Sequence, residues 1–179
     1  MKKELFTVLI VFCISLNSMG QNIIFKGDKQ FPATNSWTFK CENYSWTGDL
    51  EVQIAKTATG GYLRLSIDVP INIFFIGGPV YIFLNDGSTI TCSDKGIKDN
   101  VDQQSVVLYV LTQAEMDKLK TLDIQKVRFS VKAKSGTYGG PTGNFTANNK
   151  KNTYNFLLYG EKKEKDYYET SIEVSSLYE

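Results

Sequence analysis

The first question for this 179-residue chain is which side chains could move a proton, and the sequence contains no histidine. That removes imidazole as general acid or base, Ser-His-Asp and Cys-His activation of a nucleophile, and the H-E-x-x-H zinc site. Two converging carboxylates remain a histidine-free route to hydrolysis, as in glycosidases. Asp49, Glu51 and Asp68 are the candidates. Alternation along G48-D-L-E-V-Q-I-A-K56 and Y62-L-R-L-S-I-D-V69 turns Glu51 and Asp68 toward water, where a carboxyl makes a weak general acid. No nucleophile elbow, phosphate-cradling loop or dinucleotide fingerprint is present. The expectation is a protein that is not an enzyme and carries no cofactor, with a carboxylate hydrolase as the most distant alternative.

Other polar clusters read as structure. Asp94, Asp99, Asn100 and Asp102 offer oxygen ligands suited to calcium, but Gln104 stands where such a loop needs its sharp-turn glycine, so no metal is expected. In V80-Y-I-F-L-N-D-G-S-T-I-T-C92, Asp86 and Gly87 read as the centre of a two-residue type I′ turn, which places Phe83 opposite Ile90 and Tyr81 opposite Cys92, all on one face. Cys41 and Cys92 form an even pair once Cys13 is removed, and a disulfide between them is expected in an oxidising compartment, with two separate buried thiols as the other outcome. Such a bond would close roughly 51 residues and stabilise by at most ~4 kcal/mol.

The aromatic residues are the better lead to a ligand. Trp37, Tyr44 and Trp46 lie among polar neighbours in N35-S-W-T-F-K-C-E-N-Y-S-W-T-G48, and Tyr138 and Phe145 lie in the Gly- and Asn-rich stretch 135–152. Exposed, these rings are binding surfaces for sugar or peptide; buried, they are core.

The elements that must position these residues follow from period-two patterning. Leu50, Val52 and Ile54 share one face, as do Leu63, Leu65, Ile67 and Val69, and the two runs read as a hairpin around a Gly-Gly turn at 60–61. S105-V-V-L-Y-V-L111 is apolar on both faces, as in a central strand. Thr112 and Glu115 form a T-x-x-E capping box opening one short helix, about 113–121, with Met116, Leu119 and Leu122 as its apolar stripe. From 126 to 134, Val127, Phe129, Val131 and Ala133 face inward and Lys126, Arg128, Lys132 and Lys134 outward; such lysines suit an outer strand guarded against edge pairing. T153-Y-N-F-L-L-Y159 reads as a last strand. The fold class implied is mainly β: an antiparallel β-sandwich or partly open barrel with one short α-helix.

The chain opens M-K-K-E, runs apolar from Leu5 to Leu16 and reaches small residues at Ser18 and Gly20, the pattern of a secretory signal peptide over residues 1–20. Its apolar run, about 12 residues, is shorter than the ~20 a membrane-spanning helix needs. The domain plan is a signal peptide, one β-rich domain over 21–159 and a charged C-terminal extension over 160–179, where Glu161 and Lys165 stand at a helical i, i+4 spacing and the outcomes are a stable helix or a solvated, frayed tail. Losing Lys2, Lys3 and Glu4 takes the formal charge from +1 to zero. A neutral surface gives no reason to expect nucleic acid as partner.

The segments Y81-I-F-L-N-D-G-S-T-I-T-C-S-D-K-G-I-K-D99, V110-L-T-Q-A-E-M-D-K-L-K120 and I124-Q-K-V-R-F-S130 together resemble a group of small, uncharacterised exported proteins of Bacteroidota-type bacteria, over roughly residues 80–148. The resemblance implies export and supplies no activity, ligand or catalytic residue. No basic C-terminal sorting domain is evident, which favours the periplasm over the extracellular space. The functional expectation is an exported, non-enzymatic binding protein of the periplasm or envelope, its partner another envelope protein met at the Gly-rich loop or the 126–134 strand. A carbohydrate-binding module using Trp37, Tyr44 and Trp46 is the alternative.

Overall fold

A computed structural model describes residues 22–42, 48–134, 142–151 and 165–179. The expected signal peptide (1–20) and last strand (153–159) lie outside the described residues. The described residues form one antiparallel sheet curled into a half-barrel, mainly β as the alternation implies, with two short helices.

The strands in chain order are β1 (Asn22–Lys26), β2 (Lys29–Ala33), β3 (Trp37–Cys41), β4 (Leu50–Thr57), β5 (Gly60–Asp68), β6 (Phe74–Ile76), β7 (Val80–Leu84), β8 (Thr89–Cys92), β9 (Lys98–Val101), β10 (Gln104–Thr112), β11 (Ile124–Ala133) and β12 (Gly143–Asn148). Helix α1 (Gln113–Leu119) follows β10, and helix α2 (Thr170–Ser176) lies near the C-terminus. The order across the sheet is β8-β7-β11-β12-β3-β4-β5-β10-β9; β6 adds to β11, and β2 joins β1 to β4. β3 is the bridge, pairing β4 through Trp37–Phe39 and β12 through Lys40 and Cys41.

The concave face holds the main core. Leu50, Val52, Ile54, Leu63, Leu65 and Ile67 are all buried there, on the faces the alternation assigns. Burying such a side chain fully stabilises by about 1.5–3 kcal/mol. A smaller core of Ile24, Ala33, Ala55 and Leu108 lies on the convex side, under the β1–β2 hairpin. This explains why β10 is apolar on both faces: Val107, Tyr109 and Leu111 enter the main core and Leu108 the small one.

Both hairpins differ in register from the sequence expectation. Thr57 pairs with Gly60, so Ala58 and Thr59 make the turn and the two glycines belong to β5. They are small because β10 and α1 press on them: a Cβ on Gly60 would stand 2.2 Å from the Leu111 carbonyl oxygen, and one on Gly61 2.3 Å from Met116 Sδ. Between β7 and β8, Phe83 pairs with Thr89 and Ile82 with Ile90. The loop holds three residues, with Gly87 at φ +85 and its N–H donating to the Leu84 carbonyl. This is a turn ending in a left-handed glycine, not a two-residue type I′ turn. The one-residue slip exchanges faces: Val80, Ile82, Leu84, Ile90 and Cys92 are buried, whereas Tyr81 is exposed.

α1 starts on the expected capping box, with both reciprocal bonds between Thr112 and Glu115 present and Met116 and Leu119 buried. Of the two outcomes for the C-terminal extension, the described part, 165–179, takes the helical one, and the helix docks. Thr170 and Val174 of α2 are buried, the Thr170 hydroxyl oxygen accepts the buried Ile124 N–H at 2.8 Å, and Asp123 Oδ1 accepts from the Ser171 N–H at 2.9 Å. Val174 thereby joins the main core.

Across the open side, side chains join the β6 region to β9 and β10, where no ladder among the described residues closes the sheet. Ser105 Oγ accepts from Ile76 N–H at 3.0 Å, Asn100 Nδ2 donates to the Asn72 and Phe74 carbonyls at 3.1 and 3.0 Å, and Tyr109 OH donates to the Gly78 carbonyl at 2.9 Å.

Candidate functional site

The sequence-derived candidates are dispersed. Trp37 is 1% exposed and packs in the core, where its indole N–H donates to Glu173 Oε1 at 2.9 Å, so it presents no stacking surface. Phe145 is half-buried and turned inward, its ring centroid 5.7 Å from that of Phe129. Tyr44, Trp46 and Tyr138 lie outside the described residues. Asp49 pairs with Lys40, Glu51 lies 3.7 Å from Arg64, and Asp68 accepts from Gln104. Asp49, Glu51 and Asp68 thus each have a separate partner. Among the described residues no cluster of acidic or cysteine side chains is able to hold a metal.

The expected Cys41–Cys92 disulfide is not formed; both cysteines are free. Cys92 is on β8 and Cys41 on β3, with β7, β11 and β12 between them in the sheet. Four inter-strand steps of about 4.8 Å place them far beyond the ~7 Å Cα separation a disulfide spans. Burial, with Asp49 nearby, pushes the Cys41 thiol up to about 11, and burial, with Glu115, pushes Cys92 up to about 12. Asp86 bends the chain, its Oδ1 accepting the Ser88 N–H at 2.8 Å.

The residues that do gather are on the outer face of β7, β11 and β12. β11 is paired on both sides, by β7 and β12, so its outward cations are not guarding an edge. They stand mid-sheet. Read across the strands, one row runs Thr89, Phe83, Lys126, Asn148, Lys40, and the next Thr91, Tyr81, Arg128, Thr146. The rows are about 7 Å apart and the strands about 4.8 Å, and Tyr81 and Arg128 are direct cross-strand partners on this face. Beside them Ser130 Oγ donates to Asn144 Oδ1 at 2.6 Å. Pro79, Tyr81, Arg128, Phe129, Ser130 and Asn144 surround a shallow hollow of about 300 Å³. Lys126 stands 5.1 Å from the Phe83 ring centroid.

Among the described residues, Lys126, Arg128, Lys132 and Lys134 have no ion-pair partner within 4.0 Å. Asp94, the acid nearest Lys132, is already committed: its two carboxyl oxygens accept the N–H groups of Gly78 at 2.9 Å and Gly96 at 2.7 Å. Partial burial opposes its ionisation, but these two bonds and Lys98 and Lys132 outweigh it and hold the carboxyl below its ordinary value of 3.8. The basic residues were legible in the sequence; their place at the centre of a sheet, beside Tyr81, was not.

The arrangement defines a β half-barrel with a flat face of cations, aromatic rings, hydroxyls and amides. The chain matches no protein-family model, no curated protein and no solved structure.

Proposed function

We propose that this is an exported, non-enzymatic binding protein of the bacterial periplasm or envelope, and that the outer face of β7, β11 and β12 docks an acidic surface of another envelope protein. The observation carrying the reading is the run of cations on β11, without ion partners among the described residues, on a chain whose formal charge is near zero. Locally concentrated charge of one sign steers partners of the opposite sign and sets their orientation. No helix among the described residues is long and apolar enough to cross a membrane.

A photo-crosslinking amino acid at position 81, in the producing bacterium, tests this. A defined adduct is expected, lost on Arg128→Glu and weakened by added salt, because exposed ionic contacts are screened. An adduct unchanged by Arg128→Glu removes the face from consideration. Fractionation of the same cells, with the intact mass of the released chain, tests processing before Gln21.

A second reading, an anionic glycan, is favoured by the hollow beside Tyr81: one ring for a sugar face, one guanidinium for a carboxylate, and Ser130 with Asn144 for hydroxyls. Retention on a uronate polymer, abolished by Tyr81→Ala, would select it. Passage through that gel while the crosslink persists would select the protein partner.

A further inference from the structure

A second concavity lies on the convex side of the molecule, away from the β7–β11–β12 face. A groove of about 680 Å³ runs between β1 and the β9–β10 edge, over the outer surface of β4 and β5. One wall carries Ile23 and Phe25, which are 46% and 63% exposed, and the other carries Ile97, Val106 and Leu108. Arg64 stands on the floor, between Gln53 of β4 and Leu108 of β10 in the cross-strand row. The volume is in the range of small-molecule sites, roughly 300–1,000 Å³, which combine apolar walls with a few placed polar groups.

We propose that this groove binds an amphipathic monocarboxylate, an acyl chain or comparable apolar body whose carboxylate pairs with Arg64. The charges in and around the groove favour that class. Arg64 has one ionic partner among the described residues, Glu51 Oε2, and at 3.7 Å it is too long for a good charge-assisted bond, which leaves the planar fork free for a bidentate carboxylate. The two lysines of the groove are engaged elsewhere: Lys26 Nζ donates to Tyr62 OH at 2.9 Å, and Lys98 stands over the Phe75 ring at 4.3 Å. Lys26 and Lys98 keep their charge at the lining, and Arg64 is the cation of the three that stands in the row between Gln53 and Leu108 and presents a planar fork. Asp99 and Asp102 line the β9 end, and Asp99 lies opposite Val106, one row from Arg64. A second negative charge on the ligand would face those acids, so a monoanion is selected over a dianion. The apolar walls meet the body of the ligand.

Titration of the folded full chain with a conjugated, fluorescent C18 fatty acid and with its methyl ester tests the proposal. The acid is expected to bind about tenfold more tightly than the ester, the effect of one charge-assisted contact. Arg64→Gln should bring the acid down to the affinity of the ester and leave the ester unchanged; Arg64→Lys should keep part of the preference. Glu51→Gln, on an exposed side chain, should tighten the acid severalfold by removing a negative charge that stands near Arg64 and repels the ligand's carboxylate, and this variant carries the test if Arg64→Gln does not fold. Absence of saturable binding by the parent, equal affinity for acid and ester, or an acid affinity unmoved by Glu51→Gln would each overturn it.

Discussion

Single residues in this chain are explained by what they touch. Asp94 ties the β6–β7 turn to the loop after β8 through the Gly78 and Gly96 N–H groups. Because its carboxyl is held below 3.8 in the folded protein, the stabilisation is fully present above that value and lost as pH falls through the lower, folded-state value. Asp94→Asn is therefore expected to lower stability at pH 7, where the contribution is present, to change it little in acid, and so to flatten the acid limb of a stability-against-pH curve followed by denaturant midpoints. The cysteines provide a second prediction. With Cys41 raised to about 11 and Cys92 to about 12, the thiolate available at pH 8 is about a hundredfold or more below that of the unfolded chain. A thiol reagent should label the native protein correspondingly slowly and two thiols of the processed chain promptly after denaturation without reductant. Failure to find two would restore the disulfide.

Elements show where local sequence is informative and where it is silent. The faces of β4, β5 and β11 follow from alternation, since a period of two is a property of neighbouring residues. The capping box of α1 is equally local. Hairpin register depends on whether a glycine occupies the turn or the strand beyond it, and that is decided by distant groups: Leu111 and Met116 for Gly60 and Gly61. Likewise nothing within 124–134 tells whether β11 is an edge, because its partners β7 and β12 are separate in sequence. The role of α2 is the extreme case, as Glu173 bonds Trp37 across 136 positions. Thr170→Val, close in shape, should leave the buried Ile124 N–H without its acceptor and lower unfolding free energy by about 1–3 kcal/mol, measured by denaturant titration. A loss near zero would mean that α2 contributes little beyond the packing of Val174.

The molecule as a whole is a sheet that curls without closing its ladder, and its open side is held by hydrogen bonds from Ser105, Asn100 and Tyr109. Removing one such bond leaves carbonyls unpaired at a joint with no strand pairing to compensate. Asn100→Ala is expected to speed amide exchange in β6 and β9 while the centre of the sheet, β4 and β5, stays protected; uniform acceleration would show that the joint does not open by itself. The sequence implied an antiparallel sandwich or a partly open barrel from its many short strands, and excluded a wholly parallel sheet by its lack of crossover helices. It did not reveal the joint, since a lone Asn or Tyr in a strand does not declare its partner.

The contact between Trp37 and Glu173 has a bearing on biogenesis. The tryptophan is made 136 residues before the carboxylate it bonds, and β3 must also find the distant β12 before the sheet is continuous. Contacts of such long sequence separation form slowly. A nascent chain built this way holds its tryptophan unpartnered until helix α2 has been made, so the end of the sheet around β3 is completed late rather than as each strand emerges.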